Sequence, residues 1–183
     1  MMMQRAKLGM AMFLISEAVF FFMLIVAFVY FRGSIGPEGA NSLSLGATAA
    51  YTLCLAVSSF TMWRASASVE SRNFGALRAW LAGTLVLGCI FLAGQGSEYA
   101  RLLHQHITMS QGLFGTTFFT LTGFHGLHVL AGVLLLAVLL YIATSGDPAE
   151  RQSVAVQAVA LYWYFVDLVW LAIFAIVYLW MLL

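Results

Sequence analysis

The stretch LGMAMFLISEAVFFFMLIVAFVYF, residues 8–31, decides the class of fold. Glu17 is its only charged side chain. An α-helix rises about 1.5 Å per residue, so this stretch is long enough to cross a hydrocarbon core of about 30 Å. The sequence therefore predicts a first transmembrane helix over about residues 8–31.

Four more apolar stretches follow and occupy most of the remaining chain. They predict helices over about 43–63, 78–99, 113–143 and 154–183. Glycine and proline end the first helix at 33–37 and separate the last two at 146–148, while residues 64–77 predict a polar connection. The predicted fold is an all-α membrane bundle of five transmembrane helices, with the whole chain, 1–183, as a single domain.

The composition supports this prediction and excludes other classes of protein. Hydrophobic residues make up 63% of the chain and charged residues 8%, which is far from the composition of a soluble domain. The net charge is only +1, and no run of basic residues could follow a nucleic-acid backbone. Nucleic acid is therefore excluded as a partner.

The basic residues beside the predicted helix ends predict the orientation. Arg32 and Arg101 lie on one side of the membrane. The other six of the 8 basic residues lie on the N-terminal side: Arg5, Lys7, Arg64, Arg72, Arg78 and Arg151. Since cytoplasmic loops are enriched in Lys and Arg, we expect a cytoplasmic N-terminus and an external C-terminus.

Small and hydroxyl residues on the second and third helices predict helix packing. Ser58 and Ser59 lie within the second helix, and their hydroxyls can bond to the preceding turn or across to another helix. Thr84 and Gly88 lie four residues apart on the third helix. Such spacing lets helix backbones approach closely, so both helices are expected to face protein.

A histidine pair marks the fourth helix. His125 and His128 are three residues apart and lie on one stripe with Thr122. Such a pair can ligate a metal or a haem, with Glu17 or Asp167 as a further ligand. The alternative is two neutral imidazoles hydrogen-bonded to groups of facing helices. The sequence favours the alternative, because it offers no Glu-x-x-His pair and no clear third ligand.

Glu17 lies among aromatic side chains, Phe13, Phe20, Phe21 and Phe22. Ionisable residues inside a membrane are costly and commonly functional. Apolar surroundings favour the protonated form of a carboxylic acid, so Glu17 is predicted to be a neutral acid. Two interpretations remain open: a proton carrier, or a group that only bonds to a neighbouring helix.

Asp167 is the ionisable residue of the last helix. It shares a face with Trp163, Tyr164 and Trp170, which predicts a surface for packing or for lipid contact. We expect Asp167 to make a polar helix contact, with a proton relay as the less favoured alternative. Glu98 is predicted to be another polar helix contact. The remaining histidines, His104 and His106, are expected in a solvated external loop.

Three stretches together carry a resemblance to a known family. They are LGMAMFLISEAVFFFMLIVAFVYFR at 8–32, FFTLTGFHGLHVLAG at 118–132 and YWYFVDLVWLAIFAIVYLW at 162–180. The segment QGSEYARL at 95–102 also fits. On these motifs the chain resembles subunit III of the haem-copper terminal oxidases over nearly its whole length.

The resemblance implies a core subunit without redox centres. Subunit I would hold the haems and copper and reduce oxygen to water while pumping protons, and subunit II and other chains would complete the complex. Subunit III would stabilise subunit I during aerobic electron transport, bind phospholipid in a cleft and assist oxygen delivery or proton uptake. Glu17 would be its intramembrane carboxylate. The expected location is a bacterial or archaeal cell membrane, and no metal or haem is expected in this chain.

The chain departs from the family pattern in two respects. Longer relatives have seven helices with a lipid cleft between the first two and the remaining five, so in a five-helix chain the cleft must be completed by another subunit or be absent. Tyr164 replaces a histidine that is frequent before the FVD motif. The SEAVFF motif favours a cytochrome c oxidase over a quinol oxidase. The alternatives are a related protein that accompanies nitric oxide reductase and a stand-alone proton or small-solute transporter.

Overall fold

The computed structural model describes residues 2–31, 44–109, 112–145 and 149–179, and these residues form an all-α bundle. Five α-helices run through it: α1 Met2–Phe31, α2 Leu45–Glu70, α3 Phe74–His104, α4 Leu113–Thr144 and α5 Ala149–Phe174. A π-helical turn, Ala175–Leu179, follows α5 directly. Each helix contains a stretch long and apolar enough to cross a membrane, so the predicted fold class is confirmed.

The polar connection predicted at 64–77 is wrong. α2 continues to Glu70 and α3 begins at Phe74, so only residues 71–73 lie outside the helices. The hydroxyls of this polar segment are satisfied by carbonyls of the helix itself, as Ser68 Oγ donates to Arg64 O at 2.8 Å. The Asn73 side chain accepts from Ala76 N at 3.1 Å and caps α3.

The loop predicted around His104 is also partly wrong. α3 extends five residues beyond the predicted end at Tyr99 and includes His104 as its last residue. His106 does lie in the connection, with a φ of 61°. Three of the predictions lie outside the described residues. They are the helix breaks at 33–37 and 146–148, the start of the second helix at 43, and the end of the fifth helix at 180–183.

α5 is the central helix of the bundle. It packs against α1, α2 and α4, while α2 pairs with α3, α3 with α4, and α4 with α1. Half of the apolar window of α5 is buried inside the chain, compared with 11% of the window of α1. Many outward side chains are large and apolar, such as Phe22 and Leu134. This distribution suits a protein whose surroundings are lipid and other membrane helices.

The Trp163 indole fills the space that two glycines leave. A Cβ on Gly88 of α3 would lie 2.8 Å from the Trp163 ring, and a Cβ on Gly132 of α4 would lie at the same distance from it. The small-residue spacing on the third helix therefore admits an aromatic side chain. On the side that faces α2, Thr84 brings the two helices close, with 2.8 Å between its hydroxyl oxygen and that of Thr61, as the sequence suggested.

Candidate functional site

Glu17 of α1 and His128 of α4 form a polar pair at the middle of their helices. Glu17 Oε2 lies 3.1 Å from His128 Nε2, and the opposite ring nitrogen, Nδ1, lies 2.7 Å from the Phe124 carbonyl oxygen. The Tyr162 hydroxyl donates to the His128 carbonyl oxygen at 2.9 Å. The pair thus joins α1 to α4 and lies next to α5.

The Phe124 carbonyl decides how the pair holds its protons. A carbonyl oxygen only accepts, so His128 Nδ1 carries a proton and donates it. One further proton then lies between Nε2 and Glu17 Oε2. It belongs either to a neutral acid facing a neutral ring or to a carboxylate facing an imidazolium. In both cases the pair has no net charge, which suits a membrane interior.

The pair is accessible from outside the bundle. The His128 side chain is 18% exposed and the Glu17 side chain 21%. The Phe21 ring meets the imidazole edge-on at 4.9 Å and covers part of it. The pair is therefore partly exposed on the side of the bundle where α1 and α4 meet.

His125 occupies a different environment from His128. It is 0% exposed and stacks on Trp170 with 4.9 Å between the ring centroids, while Phe91 approaches edge-on at 5.9 Å. Neither ring nitrogen has a hydrogen-bond partner among the described residues. The hydrogen bonds predicted for a histidine pair therefore occur at His128 and not at His125.

The predicted metal-ligand set does not come together. The structure brings Glu17 to His128, but His125 lies among aromatic rings and Asp167 bonds to α2. Within the described parts of the chain, no three His, Cys, Asp or Glu side chains lie close enough to share a metal ion.

Three α5 side chains contact hydroxyl groups of α2. Asp167 Oδ2 accepts from the Ser59 hydroxyl, and Asp167 Oδ1 has no donor among the described residues. The Trp163 indole N–H donates to Ser58 Oγ at 2.9 Å, and the Trp170 indole N–H donates to Thr52 Oγ1 at 2.9 Å. Tyr164, on the same helix, is only half-buried.

Glu98 lies on α3, near the end of that helix at His104. Its carboxylate accepts from Ser44 N at 3.1 Å and from Ser44 Oγ at 3.2 Å, and it forms an ion pair with Arg101. It therefore ties the start of α2 to α3. A cavity beside it is lined by residues that include Thr48, Phe91, Gln95, Glu98, Thr122 and Trp170.

Sequence reasoning missed several members of these contacts. The Gln95 side-chain amide donates to the Thr122 carbonyl at 2.7 Å, and the Tyr99 hydroxyl meets Thr122 Oγ1 at 2.7 Å. Tyr162 bonds to the backbone of α4. An uncharged amide or phenol in an apolar helix gives a weaker signal than a carboxylate, although each still requires a partner in a membrane.

Comparison with known proteins shows the family to which the chain is similar. The family model described as "Cytochrome c oxidase subunit III" matches residues 1–182. The chain belongs to the cytochrome c oxidase subunit III family. It is 37% identical over 175 residues to cytochrome c oxidase subunit 3 of Synechocystis sp., which covers 93% of this chain and 74% of that protein.

Other members of the cytochrome c oxidase subunit III family are similar over nearly the whole chain. The probable cytochrome c oxidase subunit 3 of Nocardia farcinica is 36% identical over 176 residues, covering 94% of this chain and 86% of the relative. That of Mycobacterium leprae is 36% identical over 174 residues, with the same coverage. The resemblance inferred from the three motifs is confirmed, and the reductase companion and the transporter are not favoured.

Proposed function

We propose that the chain is the non-redox subunit III of a respiratory haem-copper oxidase. It lies beside subunit I in the plasma membrane and stabilises it while the complex reduces oxygen and pumps protons. The haems and copper belong to the partner subunits, and cytochrome c is the electron donor. The observation that carries this proposal is the family match over residues 1–182, together with relatives named cytochrome c oxidase subunit 3.

The interior chemistry of the bundle supports a structural subunit. The buried indoles of Trp163 and Trp170 are held by hydroxyls of α2, and the His125 ring lies between aromatic side chains. These contacts hold helices together. Among the described residues, His125 and His128 do not belong to a group of side chains that could hold a metal ion. We infer that oxygen reduction takes place in the partner subunits.

We further propose that the Glu17–His128 pair handles protons for the complex. Its two side chains share one proton, and both are partly exposed beside α1 and α4. The basic-residue bias favours a cytoplasmic N-terminus. In that orientation, protons taken up from the cytoplasm reach the pair from the side of the membrane on which α1 begins. The alternative is a pair that only attaches α1 to α4.

Purification of the complex in mild detergent tests the assignment. An affinity tag on this chain should retain oxidase subunits I and II, and the purified complex should show haem spectra and oxygen consumption with reduced cytochrome c. Removal of this chain should leave a complex that reduces oxygen at first and loses activity during sustained turnover. Recovery with nitric oxide reductase subunits, or of this chain alone, would contradict the assignment.

A further inference from the structure

An arginine stands among aromatic rings on the outward face of the α2–α3 pair. The Arg64 guanidinium carbon lies 5.4 Å from the centroid of the Trp80 ring. The Phe60 ring lies 5.7 Å from Trp63 and 6.4 Å from Trp80, between centroids. These four residues are called the Arg64 cluster below. Phe60, Trp63 and Arg64 are exposed, so the cluster faces away from the bundle.

The Arg64 cluster lies near the ends of α2 and α3 that their short connection joins, where lipid headgroups are expected. Arg64 comes six residues before Glu70, the last residue of α2, and Trp80 comes six residues after Phe74, the first residue of α3. Both are therefore about 9 Å from the helix ends. Tryptophan is enriched at this level of a membrane, and long basic side chains reach it readily.

The positive charge of Arg64 has no carboxylate partner among the described residues. The ion pairs among the described residues join Arg101 to Glu98 and His128 to Glu17. Arg78, at the same end of the bundle, donates to the Ala143 carbonyl at 2.8 Å and so serves the fold. Arg64 is instead held over a ring and exposed, in a position to meet an anion.

An exposed apolar stripe runs from Arg64 towards the middle of the membrane. Leu53, Val57 and Phe60 lie four and three residues apart on one face of α2, and Arg64 follows four residues later. Leu53 and Arg64 are about 16 Å apart along the helix, which is close to half of a hydrocarbon core of about 30 Å. The stripe thus has the length of one leaflet, with the cation at its headgroup end.

The neighbouring helix leaves room along the α2–α3 seam. Gly83 of α3 has no side chain, and a Cβ there would meet only the Thr61 methyl group, at 3.9 Å. The surface of the α2–α3 seam is therefore low at this position, beside the exposed apolar stripe. The seam, the stripe and the Arg64 cluster together fit an amphiphile whose charged group is negative.

We propose that the Arg64 cluster binds the phosphate of an anionic phospholipid, with one acyl chain along Leu53, Val57 and Phe60. The apolar stripe favours a lipid over a free phosphate ion, because only a lipid uses both parts of the surface. The bound lipid rests on the outward face of α2 and α3, whereas the cleft of longer relatives lies beside the first two of their seven helices. Lipids of the cytoplasmic leaflet are often anionic, which matches the basic side of this chain.

Lipid binding to the purified, delipidated oxidase complex tests the proposal. Phosphatidylglycerol should raise the thermal dissociation temperature of the complex more than phosphatidylcholine does, and inorganic phosphate should not reproduce the rise. By native mass spectrometry, Arg64→Gln should bind one phosphatidylglycerol fewer per copy of this chain and lose part of the rise. Arg72→Gln removes an exposed arginine in the α2–α3 connection and should behave as wild type.

Two further variants keep the test decisive. Trp80→Leu removes the ring beneath the guanidinium and should lower phosphatidylglycerol occupancy on its own. Arg64→Lys keeps the charge and should assemble even where Arg64→Gln does not, with occupancy below wild type. Unchanged occupancy in these variants, or an equal response to phosphatidylcholine or inorganic phosphate, would overturn the lipid site. Co-purification of oxidase subunits is measured separately, so failure of the proposed function is recognised independently.

Discussion

At the scale of single residues, the shared proton of Glu17 and His128 predicts chemical reactivity. A hydrophobic carbodiimide reacts with a protonated carboxylic acid in an apolar setting, and Glu17 has an accessible side chain. We expect selective modification of Glu17 in the intact complex, detected by peptide mass spectrometry. Asp167 is more deeply buried and should remain unmodified. Labelling of Asp167 in preference to Glu17 would contradict the interpretation of Glu17 as the accessible acid that shares a proton with His128.

The same pair predicts the effect of Glu17→Gln. Glutamine keeps the shape and can donate an amide N–H to His128 Nε2, so the α1–α4 contact and assembly should persist. It cannot release a proton, so proton pumping and sustained turnover should fall while initial oxygen reduction stays near wild type. These rates are measurable with the complex in vesicles. Loss of assembly, or unchanged pumping after prolonged turnover, would leave only a structural role.

His125 predicts an unusual tolerance of substitution. Its ring nitrogens make no hydrogen bonds among the described residues, and a buried unsatisfied polar group costs about 1–3 kcal/mol. His125→Phe keeps an aromatic ring against Trp170 and should leave thermal stability equal or higher. His128→Phe, the matched variant, should lower stability and pumping because it removes the partner of Glu17. A large loss of stability in His125→Phe would reveal a partner for the imidazole.

At the scale of helices, the Trp163 packing predicts a large effect from one methyl group. Gly88→Ala places a Cβ 2.8 Å from the indole and 3.1 Å from Val133, and overpacking of this kind costs about 1–3 kcal/mol. Gly96→Ala, on the same helix, meets no atom within 4 Å and should be neutral or slightly stabilising. Thermal dissociation of the purified complex compares the two. Equal stabilities would show that Trp163 can move aside.

The α2–α5 contact predicts coupling between Ser59 and Asp167. Ser59→Ala should destabilise the complex, because the buried carboxyl group loses its donor, and it should cost little once Asp167→Leu is present. The coupling expected for a hydrogen bond within a membrane is about 0.5–2 kcal/mol. Ser97→Ala is the control, since the Ser97 hydroxyl bonds to Gly94 of its own helix. Additive effects of the two substitutions would contradict the contact.

At the scale of the whole molecule, hydropathy alone is enough to predict five spanning helices, because each apolar stretch is long and the membrane fixes its length. It misses the extension of α2 through Ser68, because a polar segment can stay helical when its hydroxyls bond to carbonyls of the same helix. It also misses the pairing of Glu17 with His128. These residues are 111 positions apart in sequence, and their contact depends on how the helices are arranged around α5.

The peripheral position of α1 has a consequence for biogenesis. α1 packs mainly on α4 and α5, which are synthesised after it. At about 5–20 residues per second, Glu17 is synthesised roughly 6–22 s before His128. During that interval Glu17 lacks the His128 imidazole that it contacts in the folded bundle. α1 is therefore synthesised well before the two helices against which it packs.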